Sequence, residues 1–287
     1  MTTTKIKYLT NKDLLKEIHR SKNTYCSYVA PEFSDYDLIL PSLEKINIRT
    51  IAEAKRVRAA RLSKQAYEKA ALTDKKASAK NFEIDYKKIL KTDVVFRIVS
   101  WEHIPLAPGR KKTVKNTADS HEKINFPPFQ HWKFDDNDNL ICVGKSHWIG
   151  GMENGHFSKE HGRMTDNLAR MFIKLCERYA TRGNVRGYTY NDEMRGQAIL
   201  QLTQIGLQFD ESKSNNPFAY YTAAVTNSFV RIINIEKRNQ NIRDDILEMN
   251  GMNPSWTRQN SGKSTSAGPV SPVVSDANFN MDWGSDD

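Results

Sequence analysis

From residue 163 onward the apolar residues fall on helical faces, and this constrains the chain more than any other feature. Met164, Leu168, Met171, Phe172, Leu175, Cys176 and Tyr179 recur at spacings of three and four. They therefore share one side of a helix of about four turns. Met194, Ala198, Leu202 and Ile205 mark a second helix, and Phe218, Tyr221, Val225, Phe229 and Ile232 a third. Gly183 and Gly187 punctuate the first connection, and the segment FDESKSNNP forms the second. Three amphipathic helices in succession predict a bundle with one shared core.

The rest of the chain is less regular. Residues 11–22 read as a short helix with Asn11 as its N-cap, and 49–72 as a long helix rich in Ala, Lys and Arg. Between 51 and 91 there are twelve Lys/Arg against five Asp/Glu, a face that suits phosphates or simply water. Residues 94–101 (VVFRIVSW) read as a strand, and 131–143 as a hairpin with an Asp/Asn turn. Beyond Gly251 the chain is too polar to order itself by apolar burial. The expected fold class is mainly α: a helical bundle with a small β-containing insert and a disordered C-terminal tail. The expected divisions are a basic helical region at 1–93, a strand-bearing insert at 94–160, the helical domain at 161–250, and a linker with a terminal motif at 251–287.

Composition narrows the function. The net charge is +9, yet the last twelve residues hold four acids and no base, leaving +13 on the remainder. A basic body with an acidic tail suits two partners of opposite character, nucleic acid being the natural one for the body. No apolar run approaches the roughly 18–20 residues of a membrane span, and no signal-peptide core opens the chain, so residence in the cytoplasm is expected. Three widely spaced cysteines do not make a disulfide framework. His131, Cys142 and His147 lack paired metal-ligand spacing, and no catalytic constellation stands out, so neither a metal site nor a catalytic residue is assigned.

The third helix carries the chemistry. Phe218, Tyr220 and Tyr221 fall in its first turn. Neighbours on a helix lie about 100° apart, so the three cannot all face the core. The expectation is Phe218 inside and Tyr220 or Tyr221 toward DNA, the alternative being two half-buried tyrosines. Aromatic faces contribute about 1–3 kcal/mol per stacked base, comparable to the cost of extruding one. Further along lie Thr226, Asn227, Arg231 and Asn234, then Lys237, Arg238 and Arg243. Asn can read adenine edges and Arg can read guanine or hold phosphate. Asn227 and Arg231 are the expected readers, with the later cations on phosphates.

With its NKDLLKEI opening, Gly187-Tyr188-Thr189, Glu193-Met194, Phe209-Asp210, Asn216-Pro217 and an aromatic-led helix, the chain resembles the second conserved region of bacterial sigma factors. Within that group it is most similar to the late-transcription sigma factors of T-even-type phages and their cyanophage relatives. The resemblance covers about 163–240, is weak at 10–22 and poor between 25 and 155. It implies a non-enzymatic, monomeric factor that binds host RNA polymerase core, recognises an AT-rich −10-type element in promoter DNA and helps open it. It implies polymerase contacts at Glu193 and Gln197, and Gln201 and Gln204 follow on the same helical face. Gly196 and Ile199 depart from the bacterial pattern, which has polar residues there. It also implies that the acidic, hydrophobic C-terminus docks on the phage sliding clamp, with Phe279, Met281 and Trp283 as candidates. No counterpart of the helix-turn-helix that reads the −35 element is expected after 250, which favours the clamp-dependent late type. Rival readings are a non-specific phage single-stranded-DNA-binding protein and a DNA-processing enzyme built on the insert. The latter would need carboxylate or His clusters that the sequence does not present.

Overall fold

The computed structural model describes residues 9–73, 78–108 and 120–261. The chain divides into two compact units, Met1–Phe229 and Val230–Asp287. Among the described residues the helices are α1 (Asn11–Asn23), α2 (Ile48–Thr73), α3 (Asp166–Ala180), α4 (Asn191–Ile205), α5 (Pro217–Met249) and α6 (Trp256–Ser261). The strands are β1 (Cys26–Tyr28), β2 (Leu38–Leu40), β3 (Phe96–Val99), β4 (Phe129–Phe134), β5 (Leu140–Ser146), β6 (Trp148–Ile149) and β7 (His156–Phe157).

The expectation of a mainly α fold is corrected. Strands β1 to β5 form one mixed sheet in the order β1-β5-β4-β3-β2, with β2 parallel to β3 and the other pairs antiparallel. With the separate β6–β7 ladder, this makes the architecture α/β. The sheet is no local insert, because two of its strands come from the segment before residue 41. Each is only three residues long, too short to show a period of two, and each is held by a partner more than 50 residues away in sequence.

The sheet has two unlike faces, fixed by strand alternation. Phe96 and Ile98 of β3 and Phe134 of β4 turn toward α2, where they join Leu40, Ala54, Ala59 and Val94 in an apolar core. Helix α2 starts where Asn47 Oδ1 accepts from the amides of Arg49 and Thr50 while Thr50 Oγ1 accepts from Asn47 N, a reciprocal cap. Two of its arginines are structural. Arg58 and Arg61 reach the carboxylate of Asp37 at 3.3 and 2.8 Å, and that carboxylate also accepts from Val95 N. The β4–β5 hairpin turns as expected: Asp135 Oδ1 accepts from the amides of Asn137 and Asn139, and Asp138 takes a φ of 65°, a region Asp tolerates better than most residues.

The three expected helices form, α3 and α4 within the first unit and α5 beginning there. Thr165 caps α3, and Asn191 Nδ2 ties the start of α4 to the carbonyls of Ala180 and Val185. Phe172 and Tyr179 of α3 meet Tyr221 and Phe229 of α5 edge to face, with centroids 4.8 and 4.9 Å apart. Gly206 is required at the end of α4, because a Cβ there would lie 2.5 Å from the Phe172 ring and 2.6 Å from the Leu202 carbonyl. Thr10, not Asn11, caps α1. Asn11 instead accepts from Phe218 N and, with Asn216, caps the start of α5.

In the second unit α6 folds back on the end of α5. Ser255 donates through N and Oγ to Asp244, and Arg258 pairs with Asp245 and Glu248 at 2.6 and 3.0 Å. This stretch was expected to be linker; polar contacts, which apolar periodicity cannot reveal, order it. Among the described residues no helix is long and apolar enough to cross a membrane.

Candidate nucleic-acid interface

The site begins at the turn before α5. Asp210 Oδ1 accepts from Ser212 N at 3.0 Å and from its hydroxyl at 2.5 Å. Burial alone would raise the Asp210 carboxyl, but these hydrogen bonds and the charge of Lys213 outweigh it and hold it below the usual range. Glu211 points the other way, into the second face of the sheet. Its Oε2 accepts from Arg97 at 2.9 Å and lies 3.4 Å from Lys22 Nζ, which itself donates to the Phe209 carbonyl at 2.7 Å. The Arg97 guanidinium lies between the rings of Tyr36 and Phe129, 3.8 Å from each centroid, and its Nε donates to His131 Nε2. His131 Nδ1 donates to the Phe33 carbonyl, which fixes the neutral tautomer. Lys22, Arg97, Glu211 and His131 are all buried or nearly so. Burial would raise the Glu211 carboxyl, yet the charges of Lys22 and Arg97 hold it below its ordinary value. The turn is thus bolted to the sheet by an ion network the sequence reading did not anticipate. Its one signal was an arginine inside an otherwise apolar strand.

Two buried histidines, His131 and His147, and the half-buried His103 give this unit a pH dependence. Burial, then the charge of Arg97, holds His131 well below its ordinary value. Burial likewise lowers His103 to about 4 and His147 to about 3. An unfolded chain would take protons on these rings below about pH 6.5, whereas the folded one refuses them, so stability is present above that value and is lost as pH falls. The loss runs from about pH 6.5 toward about pH 4 for His103 and pH 3 for His147, at a slope of about 1.4 kcal/mol per pH unit for each ring kept neutral. Thermal melts should show Tm falling steadily from pH 7 to pH 4; a flat profile from pH 7 to pH 5 would contradict this assignment.

Helix α5 begins in the first unit and continues into the second. In the first, Tyr220 and Tyr221 part company. Tyr221 is fully buried, its hydroxyl donating to the Gly206 carbonyl at 2.5 Å. Its expected role against DNA is corrected: it shares a face with Val225 and Phe229, and that stripe fills the core. Phe218, expected inside, is half-buried. Tyr220 is 36% exposed and braced edge-on by the buried Phe209 at 5.6 Å. Asn227 is exposed, while Thr226 is half-buried and spends its hydroxyl on the Thr222 carbonyl. In the second unit Arg231, Asn234, Lys237, Arg238 and Arg243 are all exposed. In the first unit Asn227 follows Tyr220 by 7 positions, and in the second Asn234 and Arg238 follow Arg231 by 3 and 7, spacings that in each case return to one side of an α-helix.

On α4 the core side is Met194, Ala198 and Leu202. Glu193 and Gln204 are exposed on the opposite side, with Gln197 and Gln201 half-buried beside them. Glu193 also lies in the first turn, where an acid complements the helix dipole. The sequence reading missed Leu200, an apolar side chain 57% exposed in the middle of this polar face. It lies seven positions after Glu193 and off the core stripe, which was the available signal. The clamp candidates Phe279, Met281 and Trp283 lie outside the described residues. Among the described residues no group of three or more His, Cys, Asp or Glu is placed to hold a metal ion. No protein-family model, curated protein or solved structure matches this chain.

Proposed function

We propose that this protein is a sigma-type specificity factor of the phage late class. It binds host RNA polymerase core through the Glu193, Gln197, Leu200, Gln201 and Gln204 side of α4. It recognises an AT-rich −10-type element with α5, captures an unpaired base on Tyr220, and leaves the phosphodiester chemistry to the polymerase. The C-terminal segment with Phe279, Met281 and Trp283 couples it to a sliding clamp.

The observation that carries this reading is Tyr220, an exposed ring braced by Phe209 at the head of a helix whose exposed Asn and Arg residues recur at helical spacing. Such a ring supplies a stacking face, Asn and Arg supply base-edge and phosphate contacts, and the exposed Leu200 supplies an apolar anchor for a protein partner. Run-off transcription with core polymerase tests it, on templates with and without an AT-rich late element. Transcripts should appear on the first template only. Glu193→Lys combined with Leu200→Asp should abolish co-purification with core polymerase while leaving DNA binding in place. Equal transcription from both templates, or DNA binding with no polymerase association in the unmodified protein, would instead identify a non-specific single-strand binder.

A further inference from the structure

The second unit displays an exposed apolar stripe. Ile235, Ile242, Ile246 and Met249 follow one another at 7, 4 and 3 positions, which places them on one side of α5. Their exposures are 43, 48, 53 and 86%. All four stay exposed beside the Ser255–Arg258 segment, which engages Asp244, Asp245 and Glu248. Arg258 pairs with Asp245 and Glu248, and the exposed cations beside the stripe are Arg231 and Arg238, three or four positions from Ile235 and Ile242, and Arg243, three from Ile246. A complementary ligand is therefore apolar along its centre and acidic at its edges.

The chain carries such a segment. Residues 276–287 contain Phe279, Met281 and Trp283 among four aspartates and no base. Alternate positions of an extended strand present one face, so the three apolar side chains can lie together on one surface. The seventeen residues between Ser261 and Phe279 reach as far as about 60 Å when extended. The stripe from Ile235 to Met249 is only about 21 Å long, so every part of it is within range. Tethering also raises the local concentration of the segment to about the millimolar range.

We propose that in the free protein the C-terminal segment docks on this stripe of α5, with Phe279, Met281 and Trp283 on the isoleucines and Met249, and its aspartates against Arg231, Arg238 and Arg243. It then occupies cations that the functional reading assigns to DNA, and a partner that takes the segment releases them. The regulatory consequence rests on that reading; the docking itself does not.

The test uses full-length chains and a labelled peptide of residues 276–287. In a chain carrying Phe279→Ala, Met281→Ala and Trp283→Ala the stripe is vacant, and it should bind the peptide. Adding Ile242→Ser and Ile246→Ser should weaken that binding about tenfold or more, as expected for loss of two buried aliphatic contacts. No peptide binding, or binding indifferent to the two isoleucines, overturns the proposal. So does sedimentation showing that the unmodified protein is a dimer which Ile242→Ser and Ile246→Ser dissociate, because a second copy then covers the stripe. DNA binding is read separately on a duplex oligonucleotide. The triple-alanine chain should bind it more tightly than the unmodified chain. Unchanged DNA affinity with intact peptide docking would refute the masking of DNA contacts and retain the docking.

Discussion

Replacing Glu211 with alanine is expected to cost about 3–5 kcal/mol of folding stability, because it strands two buried cations. Lys22 and Arg97 are 3% and 2% exposed, and Glu211 is the carboxylate that both reach. Arg97 would keep its two aromatic faces and its bond to His131, but none of these carries a negative charge. The cost is thus mostly an uncompensated charge rather than a lost contact. Replacing Lys22, Arg97 and Glu211 together with Met or Leu should be much milder, since removing a whole buried ion cluster is often close to neutral. Urea denaturation of the single and triple variants measures this directly. A Glu211→Ala cost below about 1 kcal/mol, the range of exposed pairs, would mean that water reaches the cluster. The functional consequence is local: Glu211 sits in the turn that presents Tyr220, so its loss should also weaken the proposed base capture.

The adjacent tyrosines should separate cleanly. Tyr221→Ala removes a fully buried ring packed against Phe172 and leaves the Gly206 carbonyl unpaired. A loss of about 3–5 kcal/mol follows from the cavity alone. Tyr221→Phe keeps the packing and should cost about 1–3 kcal/mol for the stranded acceptor. Tyr220→Ala should leave stability within about 1 kcal/mol, as for a substitution on a partly exposed surface. It should nevertheless lose about 1–3 kcal/mol of affinity for forked DNA with an unpaired base. Denaturation and fluorescence anisotropy on the three variants distinguish the roles. Unchanged forked-DNA affinity in Tyr220→Ala would remove the stacking platform from the proposed function.

The helical part was legible because its apolar residues recur with the helix period. Helix α5, marked in the sequence by Phe218, Tyr221, Val225, Phe229 and Ile232, spans Pro217–Met249. The tyrosine pair shows how far that legibility reached. Tyr221 already stood on the apolar stripe with Val225 and Phe229, and strict adherence to the period would have placed it inside. The sheet was harder to read. Strands of three residues carry no periodic signal, and a parallel pairing such as β2 with β3 depends on chain segments more than 50 residues apart. The same holds for α6, which is ordered by Asp244, Asp245 and Glu248 rather than by apolar burial.

By itself the amino-acid order determined where α3, α4 and α5 form and which of their faces are apolar, because a helix is stabilised by neighbours three and four residues away. It also determined the charge contrast between a basic body and an acidic end. Only the tertiary structure decided that Arg97, Lys22 and Glu211 meet, that Phe209 supports Tyr220, and that Asn11 caps α5. Those contacts join residues far apart in sequence, and their energies depend on burial, which no local pattern encodes.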